Sequence, residues 1–178
     1  MDELELTQRL SQRDPAAMDR LVDLHLPSIF RFLRHLTRHE QDAEDLAQQT
    51  LLRAIANAAR FDGRRGLRTW LFAIAFHEFT RWRRRKLWLP LTGDRPSPRN
   101  DHDRVIEAEA LLDALSRLPD HTKAAFLMHY VEGMSVLEVA GALGIPEGTA
   151  KSRLHSARAQ LSQLLDKEVS YVTNPCQS

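Results

Sequence analysis

The chain has 178 residues, a length that accommodates one or two small domains. Its hydrophobic content of 43% and charged content of 28% are ordinary globular usage, which excludes a wholly disordered chain, a collagen or a disulfide scaffold. Its one cysteine, Cys176, excludes an internal disulfide and a cysteine-rich zinc site. The acidic start, Met1-Asp2-Glu3-Leu4-Glu5, is unlike a signal peptide, and no run approaches the ~20 apolar residues of a membrane helix. The expectation is a cytoplasmic protein without membrane insertion. The formal net charge of +1 hides a strong asymmetry. Residues 1–50 balance at −4, residues 51–100 at +9 and residues 101–178 at −4. A basic middle block points to a polyanionic partner.

In chain order, Asp14-Pro15 is a helix start, with Asp as cap and Pro in the first turn. Met18, Leu21, Val22, Leu26, Ile29, Phe30 and Leu33 follow at steps of three and four, the stripe of an amphipathic helix. Pro27 is a candidate kink or division point. A second helix is predicted over residues 42–60, with Leu46, Leu51, Leu52 and Ile55 among its apolar positions. Residues 61–66, Phe-Asp-Gly-Arg-Arg-Gly, read as a loop, and a third helix is predicted over 67–86. Residues 88–104, with Pro90, Pro96, Pro98 and Gly93, read as a flexible linker between two helical domains. Helices then follow over 105–118, 120–132, 135–143 and 149–165, and the tail from residue 168 is expected to fray. No alternating strand pattern appears, so the predicted class is all-α.

Residues 135–158 have the layout of a helix-turn-helix. Ser135 and Glu138 fit a capping box, Gly144 supplies the left-handed turn residue, and Ala140 and Ala150 permit close approach. The second helix offers Thr149, Lys151, Ser152, Arg153, His155 and Arg158 to a partner. Such a helix fits the major groove, where Arg pairs with guanine and Lys and Ser hold phosphates.

The third helix ends in Arg81, Arg83, Arg84, Arg85 and Lys86, with Trp70, Phe72, Phe76, Phe79 and Trp82 interleaved. Cations neutralise phosphates and aromatic faces stack on unpaired bases, a mixture suited to melted DNA. The competing reading makes Trp70, Leu71, Ile74 and Ala75 core, with the Arg run answering the helix dipole.

Three segments together resemble a known family. Asp42-Ala43-Glu44-Asp45-Leu46-Ala47-Gln48-Gln49-Thr50-Leu51-Leu52-Arg53-Ala54 is similar to the polymerase-binding segment of bacterial sigma factors. Arg68-Thr69-Trp70-Leu71-Phe72-Ala73-Ile74-Ala75, with the Arg run after it, resembles their promoter-melting helix. Gly133-Met134-Ser135, then Gly148-Thr149-Ala150-Lys151-Ser152-Arg153-Leu154 and on to Arg158, resembles their C-terminal helix-turn-helix. Order, spacing and length resemble the extracytoplasmic-function (ECF) group of the sigma-70 family.

The resemblance implies a region 2-like domain over residues 1–87, a linker over 88–104, a region 4-like domain over 105–167 and a tail over 168–178. It implies that Asp45, Leu46, Gln48, Gln49 and Leu52 dock on bacterial RNA polymerase core. Trp70, His77, Arg81, Arg84 and Arg85 would bind the minus-ten element. Thr149, Lys151, Ser152, Arg153, His155 and Arg158 would bind the minus-thirty-five element. It further implies promoter DNA and an anti-sigma factor as partners. Family members often carry Asn at the position of His77 and Asp at that of Arg81, so an altered minus-ten preference is expected. The alternative is a polymerase-independent helix-turn-helix regulator, which leaves the second helix and the aromatic-basic helix unexplained. No catalytic constellation is present: His77-Glu78 lacks the second histidine of a zinc-protease helix, and Arg81 stands in its place. His35 and His39 lack a nearby third ligand. Neither enzymatic activity, metal nor cofactor is therefore expected.

Overall fold

The computed structural model describes residues 2–88 and 106–173, and for 87–88, 106–110 and 166–173 the backbone alone. Every regular element among the described residues is helical: α1 (Glu3–Ser11), α2 (Pro15–Thr37), α3 (Glu40–Ala56), a 3-10 turn (Ala58–Arg60) and α4 (Leu67–Trp88). After the undescribed stretch come α5 (Ile106–Arg117), α6 (Asp120–Phe126), a π turn (Leu127–Val131), α7 (Val136–Leu143) and α8 (Glu147–Thr173). Of the expected linker, residue 88 belongs to α4 and the rest lies outside the described residues, as does Cys176.

Local chemistry accounts for most boundaries. The Asp14 carboxylate accepts from the Ala16 amide at the start of α2, and Pro15 occupies the first turn. The Arg9 guanidinium, 2.6 Å away, holds that carboxyl below its ordinary pKa. Pro27 does not divide α2, which runs unbroken to Thr37. The second predicted helix is shorter than expected: α3 ends at Ala56 and a 3-10 turn follows. The predicted 120–132 helix widens at Leu127 into a π turn, closed by the Glu132 amide donating to the Leu127 carbonyl at 3.0 Å. α8 runs to Thr173, beyond the expected end near residue 165, and no glycine or proline intervenes between Gly148 and Pro175 to stop it.

α1 was not expected. Asp2 caps it by accepting from the Glu5 amide at 2.7 Å, and Leu6 and Leu10 bury one face. It also completes α4, because Glu3 accepts from the Leu67 amide at 2.8 Å and so satisfies a first-turn donor.

The main core runs through both halves of the chain. α2 packs on α3, α4 lies against α2 and α3, and α7 lies against α4. Phe32 and Phe72 meet with ring centroids 5.1 Å apart, and Leu127, Met128, Met134 and Val139 join the same buried cluster. A Cβ on Gly141 of α7 would come within 3.2 Å of the Thr69 methyl of α4, so the contact depends on a missing side chain. A second cluster of Ala114, Leu115, Leu118, Ala157 and Leu161 ties α5 to α8.

Three histidines give the fold an acid sensitivity. Burial lowers the pKa of His25, His35 and His121 from the ordinary 6.5. The unfolded chain therefore binds more protons, and stability falls as pH drops below about 6.5. The depressed carboxyls of Asp14 and Glu138 act only at lower pH, below their ordinary 3.8 and 4.5. The melting temperature is expected to fall between pH 7.5 and pH 5.5, read by circular dichroism, and a flat profile would contradict this account.

Candidate nucleic-acid and polymerase interfaces

α3 presents two faces. Ala43, Leu46, Ala47, Thr50, Leu51 and Ala54 are buried against the core. Asp45, Gln48, Gln49 and Leu52 are exposed and spaced i, i+3, i+4, i+7, so they form one stripe. Leu52 is 66% exposed, an unusual position for a leucine with so much apolar surface. Leu46, expected to dock with this group, is 1% exposed and belongs to the core. It lies about 100° round the helix from Asp45, on the flank turned to the core, so the fold covers it in this arrangement.

α4 separates its aromatics in the same way. Phe72, Phe76 and Phe79 are buried, because α4 is enclosed by α2 and α3 on one side and α7 on another. They are core residues and cannot stack on bases in this arrangement. Trp82 is half-buried and tied down: its indole donates to Asp42 at 3.2 Å, and the Lys86 ammonium lies 4.5 Å over its ring and 2.8 Å from Asp42. Arg84 and Arg85 are exposed and without a carboxylate partner among the described residues. His77 is exposed, with Nδ1 3.4 Å from Glu78. Arg81 is exposed but lies 3.8 Å from the same carboxylate. Glu78, which the sequence raised only beside His77 as an incomplete zinc-protease pair, is 1% exposed and holds Arg53 of α3 at 2.9 Å. It therefore anchors the base of the face carrying His77 and Arg81.

The loop before α4 forms a cleft of about 310 Å³, lined by Arg60, Phe61, Asp62, Arg64, Arg65 and Trp70. Gly63 and Gly66 adopt left-handed backbone, with φ of 73° and 72°, which folds the loop back on the helix. Phe61 and Trp70 meet at 5.4 Å between centroids and 48° between planes. The lining thus combines two aromatic rings with three arginines and one carboxylate, Asp62, which lies 3.6 Å from Arg64. The sequence marked Trp70 alone; Phe61 was hidden because its pairing depends on the loop's reversal.

The helix-turn-helix is formed as expected. Ser135 and Glu138 make both bonds of the capping box, at 3.2 and 2.7 Å. Gly144 ends α7 in left-handed geometry, φ 64° and ψ 36°, and the Ile145 amide bonds back to Ala140 at 3.0 Å. Ala150, Leu154 and Ala157 bury one side of α8. Lys151, Ser152, His155 and Arg158 are exposed on the other, with Thr149 half-buried at the first turn. Lys151 pairs with Glu147 at 2.7 Å, an exposed i,i+4 pair that an outside phosphate can replace. Arg153 departs from the expectation: it is half-buried, and its Nη1 is buried without a hydrogen-bond partner.

No group of three His, Cys, Asp or Glu side chains among the described residues is placed to hold a metal. His39 caps α3 instead, its Nδ1 accepting from the Asp42 amide at 3.3 Å. No helix among the described residues is long and apolar enough to cross a membrane.

Known proteins match this arrangement over most of its length. The family model for sigma-70 region 2 matches residues 21–89, and that for sigma-70 region 4 matches residues 108–161. An ECF RNA polymerase sigma factor of Mycobacterium tuberculosis, SigL, is 32% identical, covering 81% of this chain and 86% of its own. The Bacillus subtilis RNA polymerase sigma factor YlaC is 29% identical, over 84% of this chain and 94% of its own. The structure of the Bartonella quintana sigma factor RpoE in complex with the anti-sigma factor NepR superposes with a TM-score of 0.68. It is 27% identical and covers 83% of this chain and 96% of that one. The chain belongs to the ECF RNA polymerase sigma factors of the sigma-70 family.

Proposed function

We propose that three faces of this sigma factor divide the work of promoter-specific initiation. The α3 stripe of Asp45, Gln48, Gln49 and Leu52 docks on bacterial core polymerase. The cleft before α4, with Trp70 in its wall, takes an unpaired base of the minus-ten element, while His77, Arg81, Arg84 and Arg85 follow the strand. α8 reads the minus-thirty-five element as duplex through Thr149, Lys151, Ser152, Arg153, His155 and Arg158. The residues before position 88 and those from 105 to 167 then act as two domains, and the segment between them as the linker.

The observation that carries this reading is the aromatic cleft rimmed by Arg60, Arg64 and Arg65 on a chain that also holds a helix-turn-helix. On this reading the half-buried Phe61–Trp70 pair is a stacking surface for an unpaired base, which a regulator that binds only duplex DNA does not need. RNA synthesis itself stays with the polymerase, and the protein works in the cytoplasm, beside the chromosome. The likeness to RpoE, whose structure contains the anti-sigma factor NepR, supports an anti-sigma partner here.

The test is run-off transcription with purified core polymerase on pooled fragments of the source genome, with and without this protein. Discrete new transcripts are expected, and their start sites locate both promoter elements. DNA binding without polymerase dependence would instead establish the plain regulator.

A further inference from the structure

None of the three proposed faces lies on α1, yet this helix grips the loop that shapes the cleft. Residues 61–66 contain no fully buried residue, and Gly63 and Gly66 hold left-handed backbone. Such a segment loses much conformational freedom on ordering and needs an outside anchor. Two successive residues of α1 supply it. Leu4 lies over Gly63, where an added Cβ would come within 3.1 Å of the Leu4 Cδ2 methyl. Glu3 reaches the other end of the loop, and its Oε2 accepts from the Leu67 amide at 2.8 Å. The 3-10 turn that leads into the loop also packs on α1.

The Glu3 bond bears directly on Trp70. Gly66 occupies the cap position of α4, since its carbonyl accepts from the Trp70 amide at 3.2 Å. A glycine there has no side chain with which to satisfy the first-turn amides. Glu3 does so from 64 residues away, and its carboxylate suits the positive end of a helix. The Trp70 ring, one turn into α4, meets that of Phe61 at the far end of the loop. The spacing of the two rings is therefore set by a loop that α1 holds at Gly63 and at Leu67. Leu4 is 56% exposed, so its loss leaves the fold nearly intact while uncovering Gly63.

We propose that Glu3 and Leu4 are positioning residues for opening of the minus-ten element, holding the Phe61–Trp70 pair preformed for an unpaired base. The inference rests on the reading of the cleft as the base-binding site. Preorganisation of this kind moves the ordering of the loop from the moment of base capture to the folding of the chain. Neither residue needs to touch DNA to act in this way. Loss of either leaves both rings, the arginines of the lining and the helix-turn-helix in place. It slows only the step at which a base enters the cleft.

The experiment compares Glu3→Ala, Glu3→Gln and Leu4→Ala with the parent, each in the full chain. Both Glu3 variants remove the charge, and only the alanine removes the acceptor. In the free protein, hydrogen exchange of the Leu67 amide, followed by NMR, reads the Glu3 bond. Glu3→Ala is expected to speed that exchange about fivefold, the equivalent of one lost cap, while Glu3→Gln keeps most of the protection. The second readout is promoter opening by holoenzyme assembled with core polymerase, on a promoter mapped by run-off transcription. Glu3→Ala and Leu4→Ala are expected to slow opening about fivefold, with polymerase capture and closed-complex affinity unchanged. Glu3→Gln is expected to open near the parent rate. A role confined to folding would lower the melting temperature and leave the opening rate per folded molecule unchanged, and that result would overturn the proposal. So would a Leu67 amide as well protected in Glu3→Ala as in the parent. Phe61→Ala, run alongside, separates the two readings. If it slows opening and the α1 variants do not, the role of α1 is refuted and the cleft stands. If it too opens at the parent rate, the cleft reading falls and the proposal falls with it.

Discussion

Replacing Leu52 with Asp is expected to abolish capture of core polymerase at concentrations that saturate the parent protein. The side chain is 66% exposed, so the free fold loses almost nothing. At an interface, burying a leucine contributes about 2–3 kcal/mol, or roughly 30- to 150-fold in affinity. A carboxylate forced into the same apolar contact adds a desolvation cost on top. Gln49→Ala, one turn away on the same stripe, is expected to weaken capture by a smaller factor and to add to the milder Leu52→Ala. Surface-immobilised core polymerase and a melting curve measured side by side give both readouts. Unchanged capture by Leu52→Asp would remove α3 from the interface. Leu46→Ala is the instructive contrast: it should lower the melting temperature, because Leu46 is a core residue at 1% exposure, and reduce capture only as far as it unfolds the helix.

Local chemistry made part of this architecture legible and left other parts hidden. The helix-turn-helix was readable because its signals lie within a few residues of one another: Ser135 caps with Glu138, and Gly144 turns the chain. α3 was readable as a helix, but Leu46 was assigned to the wrong face, since a motif resemblance names a segment without saying which side is covered. The aromatics of α4 failed for a related reason. Phe72, Phe76 and Phe79 lie on a helix enclosed by α2, α3 and α7, so hydrophobic content on several sides signals burial, and sequence alone does not tell burial from a stacking surface. α1 escaped notice because one turn of spacing, Leu6 to Leu10, is too short to register as a stripe. Glu132 was beyond reach altogether. Its carboxylate meets Arg31 across 101 residues of chain, and the π turn that positions it has no sequence signature.

The cleft before α4 yields the second large effect. Stacking of a base on an aromatic side chain is worth about 1–3 kcal/mol, which corresponds to roughly 5- to 150-fold. Phe61→Ala removes one of the two rings that meet at 5.4 Å and leaves the arginines of the lining in place. Formation of the open complex, followed by permanganate reactivity of unpaired thymines, is expected to fall within that range. Core-polymerase capture should hold, because Phe61 is not on the α3 stripe. Arg64→Ala is expected to behave differently. Its guanidinium side chain is 85% exposed and pairs only loosely with Asp62 at 3.6 Å, so it contributes long-range attraction to phosphate rather than shape. Its loss should flatten the salt dependence of binding while sparing the sequence preference of the minus-ten element. If Phe61→Ala instead lowers the melting temperature and leaves the rate of opening per folded molecule unchanged, the ring is a prop for Trp70. The base would then have to be recognised by His77 and Arg81 on the exposed turn above Glu78, and His77→Ala would become the variant that shifts minus-ten preference.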